Sequence, residues 1–92
     1  MDELIPVFNE IVFLMPKEFD AHDFILQLIK KAPISYFSIL RATGNNVALA
    51  NAQISNHLKN NANLYSIEFY GKTQSHDIFQ EISECAKFIK TI

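Results

Sequence analysis

"HDIFQEISECAKFIKTI", residues 76 to 92, has two readings, and they lead to different folds. Ile78, Ile82, Cys85, Ile89 and Ile92 recur at helical spacing, with Asp77 and Gln80 placed as a capping box would place them. Alternatively, "ECAKFIKT", residues 84 to 91, is a strand that folds back through the loop "KTQSHDIFQE", residues 72 to 81. The choice turns on what precedes it. In "LYSIEFYGK", residues 64 to 72, Leu64, Ser66, Glu68 and Tyr70 alternate with Tyr65, Ile67 and Phe69, and Gly71 follows as a turn. That is the one strand the pattern identifies, and a strand alone leaves its backbone N–H and C=O groups unpaired. Periodicity favours a C-terminal helix, whereas hydrogen-bond accounting favours a strand. We read residues 84 to 91 as the strand, because a helix there would leave residues 65 to 70 needing a partner from the first helix or from a second chain.

Upstream, the pattern is helical. Leu4, Val7, Phe8, Ile11, Leu14 and Met15 share a stripe, with Pro6 tolerable in the first turn and Pro16 ending the run. Ile5, Val12 and Phe13 project away from that stripe, so residues 1 to 16 are expected to bury a second surface, read here as a homodimer seam through Ile5, Val12 and Phe13. Asp20 is a good N-cap for a second helix with Phe24, Ile25, Leu28 and Ile29 inward, Asp23 favouring its positive end and Lys30 and Lys31 in its last turn. Pro33 opens a third helix carrying Tyr36, Phe37 and Leu40, and Gly44 stops it in a left-handed cap. A fourth, residues 47 to 60, turns Val47, Ala50, Ile54 and Leu58 inward.

Composition agrees with a single domain over residues 1 to 92. Two glycines, three prolines and 49% hydrophobic residues describe a chain with enough apolar surface to offset the entropy of ordering it. The longest uninterrupted apolar run, Ile11 to Met15, is far too short to cross a bilayer, and the opening Met-Asp-Glu-Leu carries acids where a secretory leader would carry Lys or Arg. With one cysteine, Cys85, and hence no intramolecular disulfide, the expected compartment is the cytoplasm and the expected thiol a buried, inert one. The net charge of −2 is unevenly spread. Residues 1 to 20 hold five acids against Lys17, whereas Phe24 to His76 hold Lys30, Lys31, Arg41, Lys59 and Lys72 against Glu68 alone. A basic face is therefore compatible with an acidic chain.

With residues 84 to 91 as a strand, residues 20 to 92 run helix, helix, turn, helix, strand, loop, strand. That order, and the passage "ISNHLKNNANLYSIEFYGKTQSH", residues 54 to 76, resemble the winged helix-turn-helix superfamily. The resemblance implies an α+β, mainly helical fold: a three-helix helix-turn-helix core, a small C-terminal β-hairpin as the wing, and an extra N-terminal helix. It further implies that helix 47 to 60 enters the major groove of double-stranded DNA, as in a transcriptional regulator. The short strand that the superfamily places between its first two helices is not visible in the sequence, and the reading helix has one lysine and no arginine.

Seven of the eight asparagines lie between Asn45 and Asn63. With Ile54 inward, Leu49, Ala52, Gln53, Asn56, Lys59 and Asn60 face outward, and amides of this kind bond the adenine edge bidentately while small residues allow close approach. The candidate nucleic-acid contacts are Gln53, Asn56, Lys59 and Asn60 on the helix, Lys72 and Gln74 in the wing, and Arg41. His57, on the flank of the core stripe, is expected to be a hydrogen-bonded, partly buried histidine, and one of Tyr65 and Tyr70 to pack while the other is exposed. No catalytic motif is expected: His22-Asp23 and His76-Asp77 lack a second ligand at metal-site spacing, and the sequence puts no histidine beside Cys85. We therefore expect no enzyme activity, metal, cofactor, membrane association or small-molecule substrate. The alternative to a DNA-binding protein is a small protein-interaction module that docks through its apolar first helix.

Overall fold

The computed structural model describes residues 1–92 and is α+β, mainly helical, with a three-stranded antiparallel sheet. The elements in chain order are α1 (Ile5–Leu14), β1 (Glu18–Asp20), α2 (Ala21–Lys31), α3 (Pro33–Ala42), α4 (Val47–Asn60), β2 (Ile67–His76) and β3 (Ile82–Lys90), with single 3-10 turns at Asp2–Leu4 and Ala62–Tyr65.

Each boundary has a local cause. Pro6 sits in the first turn of α1, and Met15 turns extended before Pro16. At α2 the capping box is reciprocal: Asp23 N–H donates to Asp20 Oδ1 at 2.8 Å and Asp20 N–H to Asp23 Oδ2 at 3.4 Å. Between α3 and α4 the chain reverses through Gly44 and Asn45, both in the left-handed region at φ 68° and 62°. Asn46 then caps α4 by accepting from Leu49 N–H at 3.0 Å.

The C-terminal segment is a strand, as backbone accounting requires, and it begins two residues earlier than read from the sequence, at Ile82. It lies in the middle of the sheet, with order β1-β3-β2: Phe19 pairs with Phe88, and Phe88 with Phe69. β1 is not visible in the sequence, since three residues give too little alternation to register as a strand. It lies between α1 and α2, ahead of the three-helix core; the strand that the superfamily places between its first two helices has no counterpart, since Ala32 alone joins α2 to α3. β2 also departs from expectation. Leu64 and Tyr65 belong to a 3-10 turn, Ser66 takes the left-handed conformation, and the strand starts at Ile67. Its pairing runs on through Lys72 to His76, so Lys72 and Gln74 are strand residues and the loop is only residues 77 to 81. Gly71 is not the turn but half of a β-bulge: Tyr70 and Gly71 together face Lys87, with Gly71 at φ 109°. Asp77 caps no helix; its Oδ1 accepts from Phe79 N–H and Glu81 N–H and closes the hairpin tip.

The core lies between helices and sheet. Phe8, Phe24 and Phe88 are fully buried, Phe8 edge-on to Phe24 and Phe88 stacked on Phe19 at 5.6 Å between centroids. Val12 is 5% exposed and belongs to this intrachain core. That removes it from the seam read from the sequence: α2 and the 3-10 turn Ala62–Tyr65 pack on α1 and cover the side that seemed to need a second chain. Ile5 is half-buried, and of the three only Phe13, at 82%, faces solvent. On α3, Ile39 rather than Phe37 is buried with Tyr36. No helix is long and apolar enough to cross a membrane.

Candidate functional site

A groove of about 340 Å³ runs between α4 and the β2–β3 hairpin, closed at one end by the start of α2. Its α4 wall includes Ser55, Asn56 and Lys59, its hairpin wall Lys72 and Glu84, and His22 stands at the α2 end. Ala50, Ile54 and Leu58 anchor α4 to the core, which fixes the opposite face outward. Leu49, Ala52, Gln53, Asn56, Lys59 and Asn60 are all exposed, as the helical spacing predicts.

Four of the seven clustered asparagines have structural work. Asn45 takes the left-handed turn position and Asn46 caps α4. Asn51 Oδ1 accepts from Tyr36 Oη at 2.9 Å, and Asn61 Nδ2 donates to the His57 carbonyl at 3.0 Å and reaches His57 Nδ1 at 3.2 Å. Asn56, Asn60 and Asn63 are exposed and carry no such bond. His57 is half-buried and hydrogen-bonded as expected, its Nε2 2.6 Å from Tyr65 Oη; burial, then the N-terminal amino group, holds its pKa below the usual histidine value. Of Tyr65 and Tyr70, Tyr65 is the buried one, with its hydroxyl pushed up to about 12 by burial and by Asp2, and Tyr70 is exposed.

Of the nucleic-acid candidates, the fold brings Asn56, Lys59 and Lys72 to one groove. Gln74 pairs with Glu84 one step further along the hairpin, and Asn60 is in the last turn of α4. Gln53 lies elsewhere, against Met1, Glu3 and Leu4, and Arg41 is exposed at the end of α3 without lining the groove. The charge is weaker than a count of lysines suggests. Lys72 Nζ is 3.4 Å from Glu84 Oε1, and Lys59 Nζ lies 4.6 Å over the Phe69 ring, leaving its charge accessible. Glu84 is the groove residue that sequence reasoning missed, since only the register Gln74↔Glu84 brings it beside Lys72.

The fold also joins His22 to Cys85, which no spacing indicated. His22 Nδ1 is 2.8 Å from Ser75 Oγ, and Ser75 Oγ is 3.6 Å from Cys85 Sγ. Cys85 is half-buried rather than sealed in the core. No family model, no curated protein and no solved structure matches the chain.

Proposed function

We propose that the protein is a small DNA-binding regulator of the winged helix-turn-helix kind that lays α4 in the major groove. The observation that carries this reading is the division of labour among the amides: those that cap and brace the fold are used up, whereas Asn56 and Asn60 stand free beside Lys59 on an exposed face with the small Ala52. A helix surface of amides and small residues suits adenine edges and thymine methyl groups. Lys59, Lys72 and, from the end of α3, Arg41 would meet phosphates, which position the helix without reading sequence. On this reading the protein works in the cytoplasm as a homodimer, with the seam redrawn around exposed Phe13 and Leu14 of α1, and has no catalytic role.

Fluorescence anisotropy against a random duplex pool, followed by selection of a preferred site, tests it. Asn56→Ala should weaken binding to the selected site by about 1 to 3 kcal/mol and leave non-specific binding nearly unchanged. Lys72→Ala should lower affinity for all sequences alike and flatten the salt slope by about one unit. Absence of binding to duplex at low salt would overturn the proposal in favour of a second reading, a protein-interaction module. That reading draws on the exposed Phe13, Leu14 and Ile92 and on the acids Asp77 and Glu81 at the hairpin tip, which phosphate would repel.

A further inference from the structure

Asp20, His22 and Cys85 come from the β1–α2 junction and from β3, and their ligating atoms all lie within 4.8 Å of one another. We propose that these three side chains bind one borderline-soft divalent transition ion of the zinc class, with Ser75 Oγ or water in the fourth position. These three donors meet whether or not the groove they border receives nucleic acid.

The chemistry of the donors selects the ion. A carboxylate oxygen, an imidazole nitrogen and a thiolate sulfur suit Zn²⁺, whereas Ca²⁺ and Mg²⁺ take oxygen ligands. Zinc holds such atoms at about 2.0 to 2.3 Å, so ligands separated by up to 4.8 Å must close by only about 1 Å to surround it. Each ligand has a reason to be ready. Asp20 is the one charged side chain among the buried residues, and the α2 cap uses only its Oδ1. His22 has Ser83 Oγ 3.3 Å from Nε2, so Nε2–H can donate there and leave the lone pair of Nδ1, which accepts from Ser75 Oγ at 2.8 Å, directed towards Ser75 and Cys85, where an ion would take the place of the hydroxyl proton. A hydrogen bond of this type on the far ring nitrogen is how metal-bound histidines are oriented. Entry is open, since His22 and Cys85 both line the groove. An ion here would fasten β3 to the start of α2 beside the exposed face of α4.

Cobalt(II) is the probe. Titrated into metal-free protein, it should give tetrahedral visible bands and a thiolate-to-cobalt charge-transfer band, saturating at one ion per chain and displaced by Zn²⁺. One equivalent of Zn²⁺, but not Ca²⁺ or Mg²⁺, should raise the unfolding temperature. Cys85→Ser should abolish the charge-transfer band, and Ser75→Ala should weaken binding by about 10- to 100-fold if the hydroxyl assists the site. His22→Gln should lose binding, while His76→Ala should bind as the parent does. No charge-transfer band in the parent protein would overturn the proposal without reference to any variant. So would one cobalt per two chains, which would mean Cys85 thiolates shared between molecules, or equal zinc stabilisation of parent and Cys85→Ser.

Discussion

Replacing Glu84 by Gln removes one carboxylate from the hairpin wall of the groove and leaves its shape unchanged. Lys72 and Glu84 are 3.4 Å apart but 61% and 60% exposed, so the pair is screened and its loss should cost at most about 1 kcal/mol of stability. The effect on DNA should be larger than the effect on folding. In a water-like dielectric, a carboxylate about 10 Å from a phosphate is repelled by about 0.4 kcal/mol, and two or three phosphates flanking the groove bring this to about 1 kcal/mol. Salt screens part of that repulsion, but Lys72, released from Glu84, gains a phosphate of its own. Glu84→Gln should therefore bind a random duplex roughly fivefold more tightly at low salt, since about 1 kcal/mol corresponds to that factor. Its log-log salt dependence should steepen by about 0.9 for the added phosphate contact. Anisotropy titrations at about 50 and 200 mM salt measure both quantities. A folded Glu84→Gln protein with unchanged or weaker affinity and an unchanged slope would mean that the hairpin wall does not face phosphate, and the groove would cease to be the interface.

Phe88, fully buried between Phe19 and Phe69 on the central strand, should cost about 3 to 5 kcal/mol when cut to Ala, a large share of the roughly 5 to 14 kcal/mol expected for a domain of this size. Phe79→Ala, at the exposed hairpin tip, should stay within about 0.5 kcal/mol in the same urea denaturation, and equal effects would contradict the burial pattern. Because burial lowers the His57 pKa in the folded state, the unfolded chain takes up the proton first, so stability is fully present above about pH 6.5 and falls as pH drops from there towards the folded value. His57→Gln should flatten that part of the stability-against-pH profile; an unaltered slope would assign it to another group. Phe13→Glu should remain folded by circular dichroism and sediment as a monomer, whereas an unfolded variant or a monomeric parent would count against a seam at Phe13.

The helices were legible because their signals are local. Asp20 as N-cap, Pro33 at the start of α3 and Gly44 in its left-handed stop each act within one turn, and each stands where the spacing put it. The choice of strand for the last segment came from counting unpaired backbone groups, since its isoleucine spacing argued the other way. Failures cluster where a long-range partner decides. Val12 looks unpartnered on a helical wheel and is buried by chain folded over it. β1 exists only because β3 offers it hydrogen bonds, and the bulge at Tyr70 and Gly71 shifts the register along the hairpin. For the candidate site, the outward face of α4 followed from its period, but the meeting of Asp20 and His22 with Cys85, like that of Lys72 with Glu84, depends on sheet pairing that no local spacing encodes.

The strand made last is the one in the middle. While the ribosome is still adding residues before Ile82, β1 and β2 have no neighbour to bond to, and Phe19 and Phe69 have no Phe88 to pack against. The helices, built from near-neighbour contacts, can form during synthesis, but the sheet must wait. Once β3 emerges, loop-closure entropy favours pairing across the five residues of the tip before the docking of the distant β1. Before that moment the nascent chain offers open strand edges and bare aromatic rings, the form in which it is most exposed to aggregation and to capture by chaperones.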